Sequence, residues 1–223
     1  GAGTWSLIFD GRDVGLSAFA IDAMQLLSAG RILLSFTVAG TIGGIVTDDS
    51  DVLQITPTSL GSTTAGTWAM LFDGSDVGLT TDNEDVDGIG VTSDGRLVLS
   101  TLGAFSVTGA TGEDEDIIVF NATAFGTTTS GTYAMYFDGS DVGLSTTTSE
   151  DVDAADLTSS GTILLSTLGN FSVTGASGTS QDIFEFVPTT LGSTTAGTYS
   201  LFLDLSTVGI DPTENVVGLQ FLD

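Results

Sequence analysis

Aspartate and glutamate are the residues of this sequence that could do chemistry, and they recur at three positions of a repeated pattern. The chain has 29 acidic residues against three basic ones, and it contains no histidine and no cysteine. Oxygen ligands without nitrogen or sulfur suit a hard cation, and Ca²⁺ takes roughly six to eight of them in loose geometry. If these carboxylates bind calcium, the predicted ligands are Asp73, Asp76, Asp85, Asp87, Asp116, Asp138, Asp141, Asp151 and Asp153.

One stretch, NEDVDGIGVTSD from Asn83 to Asp94, approaches the pattern of a calcium-binding loop. Its first ligand position is Asn, its last is Asp where Glu is expected, and Gly88 becomes Ala154 in the next copy. We favour the interpretation that the aspartates form turns, because their side chains bond to the backbone two residues on and tolerate unusual φ angles. Calcium at one or more of these positions is the alternative.

The composition excludes most catalytic arrangements. Without histidine, cysteine or lysine there is no Ser-His-Asp or Cys-His site, no Schiff base and no phosphate-binding lysine loop. A carboxylate pair, as in glycosidases, is what remains. Glu185 and Asp156 stand out from the repeat, but an outward-pointing Glu185 on a strand is the simpler account. We therefore expect a protein that is not an enzyme and has no catalytic residues.

The net charge of −26 limits the partners of the chain. It repels nucleic-acid phosphates and anionic lipid, so we expect no nucleic acid as a partner. No apolar run approaches the roughly 20 residues that span a bilayer, which predicts no membrane insertion. An acidic chain rich in Gly, Ser and Thr is typical of an extracellular or cell-surface protein, and a cytosolic protein of a halophile is the alternative. Asn121 and Asn170 begin N-glycosylation patterns.

Copies of one string define a tandem repeat. GTWSLIFDGRDVGL begins at Gly3, GTWAMLFDGSDVGL at Gly66, GTYAMYFDGSDVGL at Gly131, and the diverged GTYSLFLDLSTVGI at Gly197. The chain is thus about three and a half copies of a unit of about 65 residues. We divide it into unit 1 (1–65), unit 2 (66–130), unit 3 (131–196) and partial unit 4 (197–223).

Each unit contains four short segments with the composition of β-strands, bounded by Gly, Asp, Ser or Thr. In unit 2 they are Thr67–Phe72, Asp85–Val91, Arg96–Thr101 and Asp116–Ala122. SDGR at Ser93 and SAGR at Ser28 predict tight hairpin turns. No sustained 3.6-residue period predicts a helix. The sequence therefore predicts an all-β fold of about 3.5 four-stranded antiparallel units.

Four short antiparallel strands per unit resemble the blades of a β-propeller. The strings FDGSDVGL at Phe137, EDVD at Glu150, GNFSV at Gly169, EDEDI at Glu113 and TTLGSTTAGT at Thr189 are similar to a tandem repeat of large secreted and surface proteins of bacteria. The resemblance covers the whole chain. It implies propeller-like blades and an extracellular location rather than an activity.

Fourteen predicted strands make three and a half units, with a leading strand from Thr4 and closing strands at Thr198–Leu203 and Val216–Leu222. Unpaired sheet edges are templates for pairing, so we expect the units to be incomplete without a partner chain. A longer array, a two-chain ring or subunits that lend strands head to tail are the possibilities. The leading hypothesis is a structural or adhesive surface protein that self-associates into a fibre or ring. A calcium-dependent receptor for glycans or other surface proteins is the alternative, and a glycosidase comes third.

One aromatic residue falls at the same position of each copy, namely Trp5, Trp68, Tyr133 and Tyr199. Such a row could form a sugar-stacking platform. One aromatic per strand at the same depth is more typical of a core between neighbouring sheets, and we favour that interpretation.

Overall fold

The fold is all-β, as the sequence predicts. The computed structural model describes residues 4–27, 30–145, 147–211 and 213–221. Three four-stranded antiparallel sheets, each with one short two-stranded hairpin, follow one another along the chain. The string start at Gly3, the SAGR residue Ser28 and the predicted strand end at Leu222 lie outside the described residues.

Sheet 1 contains β1 (Ile21–Leu26), β2 (Ile32–Phe36), β5 (Val52–Ser59) and β6 (Ala65–Phe72), and its hairpin is β3 (Gly40–Ile42) with β4 (Ile45–Thr47). Sheet 2 contains β7 (Gly88–Val91), β8 (Leu97–Ser100), β11 (Ile117–Ala124) and β12 (Ser130–Phe137), and its hairpin is β9 (Phe105–Val107) with β10 (Ala110–Gly112). Sheet 3 contains β13 (Ala154–Leu157), β14 (Ile163–Ser166), β17 (Ile183–Thr190) and β18 (Ala196–Leu203), and its hairpin is β15 (Phe171–Val173) with β16 (Ala176–Gly178). The strands of each sheet are hydrogen-bonded in chain order.

The structure corrects the strand count in two ways. The three hairpins were not predicted as strands, because strands of three residues are too short to show alternation. Residues 4–9, the predicted leading strand, make only a bridge between Phe9 and Gly61, and the residues from Val216 to Phe221 adopt no regular strand. We call residues 4–9 the N-terminal segment and residues 214–221 the C-terminal segment. Single 3₁₀ turns lie at Gly11–Val14, Ser75–Val77, Asp82–Glu84, Ser140–Val142 and Leu205–Val208.

The sheets do not coincide with the sequence units. The first segment of unit 2, around Trp68, is β6 and closes sheet 1, while the other segments of unit 2 build sheet 2. The repeated string FDGSDVGL therefore connects one sheet to the next. Its turn has to be shaped by both sheets, which explains why it is the best-preserved string of the repeat.

The first strands of the sheets, β1, β7 and β13, lie next to one another in that order. Apolar clusters extend across the sheet boundaries, since Phe72 of sheet 1 is buried with Leu97 and Phe120 of sheet 2, and Phe137 of sheet 2 with Phe184 of sheet 3. Each sheet therefore completes the core of its neighbour. The described part of the chain forms no closed barrel or propeller, and none of its helices is long and apolar enough to cross a membrane.

Because Phe137 is fully buried in the core between sheets 2 and 3, Phe137→Ala should lower the free energy of unfolding by about 3–5 kcal/mol. The shared core predicts that unfolding stays a single transition, measured by urea denaturation followed by circular dichroism. Phe125→Ala removes the same ring at a site that is 43% exposed and should cost less than about 1.5 kcal/mol. Equal losses in the two variants would contradict the shared core.

Candidate functional site

The repeated string and the β11–β12 loop are joined by a set of hydrogen bonds that we call the carboxylate clamp. At the boundary of sheets 1 and 2, the backbone N–H of Asp73 donates to Thr129 Oγ1 at 2.9 Å, and the backbone N–H of Thr129 donates to Asp76 Oδ2 at 2.9 Å. The Gly126 N–H donates to the Leu71 carbonyl at 2.7 Å. A backbone N–H of the β11–β12 loop of sheet 2 thus donates to a carboxylate of the segment that follows β6 of sheet 1.

The same clamp occurs at three places. Asp138 and Asp141 hold Thr195 with N···O distances of 2.9 and 2.8 Å, and Asp10 and Asp13 hold Thr64 with distances of 2.9 and 2.9 Å. The first of these clamps joins the segment after β12 to sheet 3, and the second joins the segment after residue 9 to sheet 1. The clamp therefore gives the first-turn aspartates a structural role at each boundary.

The first aspartate of each turn also organises its own turn. Asp73 Oδ1 accepts from Ser75 Oγ at 2.8 Å, and Asp138 Oδ1 accepts from Ser140 Oγ at 2.8 Å. Gly78 ends the turn with φ +99°, a conformation that favours glycine. The favoured interpretation, that aspartates form turns, accounts for these predicted residues.

The predicted ligand Asp116 spans two segments with its two oxygens. Asp116 Oδ1 accepts from the Gly139 N–H at 2.9 Å, and Oδ2 accepts from the Glu113 N–H at 3.0 Å. Asp51 makes the same bond to Gly74 at 3.0 Å. Burial raises the pKa of Asp116 to about 6, against the lowering effect of its two backbone hydrogen bonds.

The other predicted ligands form a row of buried pairs along the first strands, which we call the carboxyl ladder. Asp85 bonds to Asp22, Asp87 bonds to Asp151, and Asn215 Nδ2 donates to Asp153 Oδ2 at 2.6 Å. Each pair joins a residue in or immediately before one first strand to the segment that leads into the next. In the first two pairs a protonated carboxyl group has to donate, because both partners are acids.

Burial is the main cause of the raised pKa values in the carboxyl ladder. It raises the pKa of Asp151 to about 8, with further contributions from the charges of Asp114 and Asp153. Burial, followed by the charge of Asp151, also raises the pKa of Asp87. The pKa of Asp153 rises to about 7 by burial, although bonds from Ser166 and Asn215 oppose the rise. Two carboxylates in one buried site cannot both ionise cheaply, so we infer a shared proton in each of the two pairs that consist of acids, Asp85 with Asp22 and Asp87 with Asp151.

Calcium stays a prediction. Within the described ranges no three acidic side chains come together in a group that could hold a metal ion. The nine predicted ligands divide instead between the clamps, the Asp116 bridge and the carboxyl ladder.

Asp156 and Glu185, the residues considered for a glycosidase, lie on opposite sides of Leu164 in the register of sheet 3. Two strand spacings separate their backbones by roughly 10 Å. The backbone N–H of Phe221 donates to Asp156 Oδ2 at 2.7 Å, and Gln220 Nε2 donates to Asp156 Oδ1 at 3.2 Å. Asp156 thus fastens the C-terminal segment to sheet 3.

The row of aromatic residues lies mostly in the core. Tyr133 and Tyr199 are buried, and Trp68 is half-buried and donates from Nε1 to the Val14 carbonyl at 3.1 Å. Trp5 is the exception, because 68% of it is exposed. The core interpretation is confirmed for three of the four positions.

Two groups of residues were missed by the sequence reasoning. Thr64, Thr129 and Thr195 fall in the repeated Gly-x-Thr-Thr-like loop, and their exact repetition was the available signal. Asn215 replaces an acid of the ladder, and aligning ENVV with EDVD would have shown it. Comparison of the chain with protein-family models, with curated proteins and with solved structures gives no match in any of the three.

Asp76→Ala should destabilise the junction of sheets 1 and 2, because it leaves the buried Thr129 N–H without its acceptor. We expect a loss of about 1–3 kcal/mol in the free energy of unfolding. Urea denaturation measures it. Asp82→Ala, at an exposed turn, is the matched control and should change the free energy by less than about 0.5 kcal/mol. A loss no larger than in this control would contradict the clamp.

Asp151→Asn should stabilise the protein at pH 8 and flatten the dependence of its stability on pH. Because the folded pKa of Asp151 is raised from 3.8 to about 8, its stabilising contribution is complete below about pH 4 and is lost as the pH rises through 8. The amide removes this loss, as Asn215 does in the third pair. We expect a gain of about 1–3 kcal/mol at pH 8 and little gain at pH 4.5.

Thermal and urea denaturation between pH 4.5 and pH 8.5 measure this effect. Asp82→Asn makes the same chemical change at an exposed site and should leave the pH dependence unchanged. If Asp151→Asn and the native chain lost stability in parallel between these pH values, the shared proton would be refuted.

Proposed function

We propose that the chain is an extracellular structural or adhesive β-repeat protein that self-associates through an apolar surface around its N-terminal and C-terminal segments. The observation that supports the proposal is the exposure of apolar residues whose equivalents in the other copies are covered. The acidic residues support it indirectly, since their roles in the structure are to join segments and sheets.

The N-terminal segment exposes apolar residues. In the N-terminal segment, Trp5, Leu7 and Ile8 are 68%, 59% and 56% exposed. Their equivalents Trp68, Met70 and Leu71 are half-buried and pack against the core clusters. The difference arises because β6 has a following sheet beside it.

The last strand shows the same contrast. Leu201 and Phe202 of β18 are 45% and 43% exposed, while the equivalent Met135 and Tyr136 of β12 pack against core clusters. Phe202 contacts Phe221 of the C-terminal segment, with ring centroids 5.7 Å apart. Exposed apolar residues grouped in this way mark interaction surfaces more often than isolated ones do.

The charge of the chain determines how such association depends on salt. Each copy carries a net charge of −26, so two copies repel each other at long range, and salt screens that repulsion over a Debye length of about 10 Å at 0.1 M. Apolar contacts are not weakened by the same salt. Association through this surface should therefore increase with ionic strength.

Light scattering after gel filtration tests the proposal. The native chain should form particles larger than a single chain of 22.6 kDa, and more of them at high salt. Replacing Leu201 and Phe202 by Ser should restore the single-chain mass, and Val46→Ser, at a residue that is 77% exposed on β4, should not. Repeating the measurement with calcium and with chelator tests the predicted calcium. A single-chain mass under every condition would contradict the proposed self-association.

A further inference from the structure

The C-terminal segment occupies the place of a first strand beside sheet 3. The Val216 N–H donates to the Ser180 carbonyl at 3.2 Å, and Ser166 Oγ donates to the Val216 carbonyl at 2.8 Å. In the same way, Ser35 Oγ donates to the carbonyl of Val86, just before β7, at 2.6 Å. The contacts that join sheet 1 to sheet 2 are thus repeated between sheet 3 and this segment.

The segment also contacts sheet 1 on its other side. Gln25 Nε2 of β1 donates to Gln220 Oε1. A Cβ on Gly218 would lie 3.0 Å from the backbone N of Met24, so the two backbones pack closely. The C-terminal segment therefore lies between sheets 3 and 1, as β7 lies between β1 and β13.

No strand in the described ranges pairs with the C-terminal segment. Beside it is a cavity of about 760 Å³, whose lining includes Trp5 and the apolar residues Leu203, Ile210, Val216 and Leu219, and also the polar residues Asp211, Glu214 and Asn215. The equivalents of Trp5 and the apolar residues before and in sheet 2 are Phe72, Leu79, Val86, Ile89 and Tyr133, which are all buried in one cluster. The same cluster contains the residues that have no counterpart at the cavity, namely Leu97, Leu99, Phe105, Ile118 and Phe120.

A second cavity, of about 410 Å³, lies on the sheet 1 side of the segment. It is lined by Met24, Leu26 and Ile32 of sheet 1, and by Phe9 and Leu219. In sheet 2 the corresponding side of the middle strands carries Val98 and Val119, which pack towards sheet 3. The two cavities therefore match the two faces of one pair of middle strands, since side chains alternate between faces along a strand.

We propose that this site binds a two-stranded β-hairpin with the sequence pattern of β8 and β11, as the middle of a fourth sheet. The first hairpin strand carries Leu-x-Leu-Ser and the second carries Ile-x-Phe, with β-branched residues at the x positions. Main-chain pairing with the C-terminal segment would supply affinity, and the apolar cavities would supply specificity.

Two observations favour such a hairpin over a second copy of this chain. The site continues the interface that already joins sheets 1, 2 and 3, so its natural occupant has the pattern found at those interfaces. In this chain β8, β11, β14 and β17 are already paired on both sides. A second copy therefore cannot offer these strands to the site. The inference rests on the proposed function only in placing a polypeptide partner at this surface.

The fluorescence of Trp5 can detect a hairpin bound at this site. In sheet 2 the equivalent Tyr133 contacts Phe120 of β11 with ring centroids 5.0 Å apart, and in sheet 3 Tyr199 contacts Phe186 of β17 at 4.9 Å. A bound hairpin would place its Phe at the same position against Trp5. The indole would then leave water and become buried.

The experiment uses the full chain with Trp68→Phe, so that Trp5 is its single tryptophan, and a synthetic peptide of residues 92–124. The peptide contains β8 to β11 and has no tryptophan. On titration, Trp5 emission should shift to shorter wavelength and become protected from iodide, with saturation at one peptide per chain. A Phe120→Ser peptide should bind at least about tenfold more weakly.

Two protein variants complete the design. Trp5→Ala, at an exposed site, should fold normally and weaken binding of a fluorescein-labelled peptide about tenfold. Leu219→Asp should abolish binding, and circular dichroism shows whether the variant is folded. Val46→Ser, at a residue that lines neither cavity, should bind as the native chain does.

An unchanged Trp5 emission, or an equal response to both peptides, would overturn the inference. A dimer whose Trp5 is protected without peptide would also overturn it, and would assign the site to a second copy. A single-chain particle that binds the peptide would refute self-association and leave the hairpin site standing.

Discussion

The structure depends on one constraint: its carboxylates are buried, although the chain has almost no cations to pair with them. Three arginines serve the whole chain, and the two ion pairs among the described residues, Arg12–Asp10 and Arg96–Asp94, each lie within one turn. The buried acids therefore take their hydrogen bonds from backbone N–H groups and from neutral side chains such as Ser166 and Asn215, or share a proton. An unpaired buried carboxylate would cost several kcal/mol, so the repeat preserves the glycines and threonines that supply these donors.

Apolar clusters and hydrogen-bonded carboxyl groups hold the sheets together, and these two kinds of contact respond differently to pH. The apolar clusters, such as the one around Phe137, are insensitive to pH. The clamps and the ladder depend on charge, and the ladder depends also on protons held near neutral pH. Surface ion pairs contribute little in general, and here they cross no sheet boundary. Stability should thus follow the protonation of the ladder rather than the formation of salt bridges.

Local features of the fold could be predicted from the sequence, and long-range ones could not. The Asp94–Gly95 turn between β7 and β8 follows from the positive φ that glycine accepts, which is +87° here. The sequence could not show which strands form one sheet, because a tandem repeat can be divided into units at any point. The partners of the acids were also inaccessible, since Asp76 meets Thr129 across 53 residues. Turn formation accounts for Asp73 and Asp138, which accept from Ser75 and Ser140 within their own turns, and the junction partners are what this interpretation lacked.

Divergence of the fourth copy has a physical reason in the structure. Leu205 replaces Gly74, where a side chain would collide with the Ser50 carbonyl, and it is buried at the rim of the larger cavity instead. Asn215 occupies the position that Asp85 and Asp151 have in the earlier copies, and Val217 occupies the position of Asp87. The junction beside the C-terminal segment is therefore more apolar than the others and contains no proton-sharing pair. Asp153, whose pKa burial raises to about 7, accepts from Asn215 there, so this junction also loses stability as the pH rises through 7, but without the repulsion of a second carboxylate.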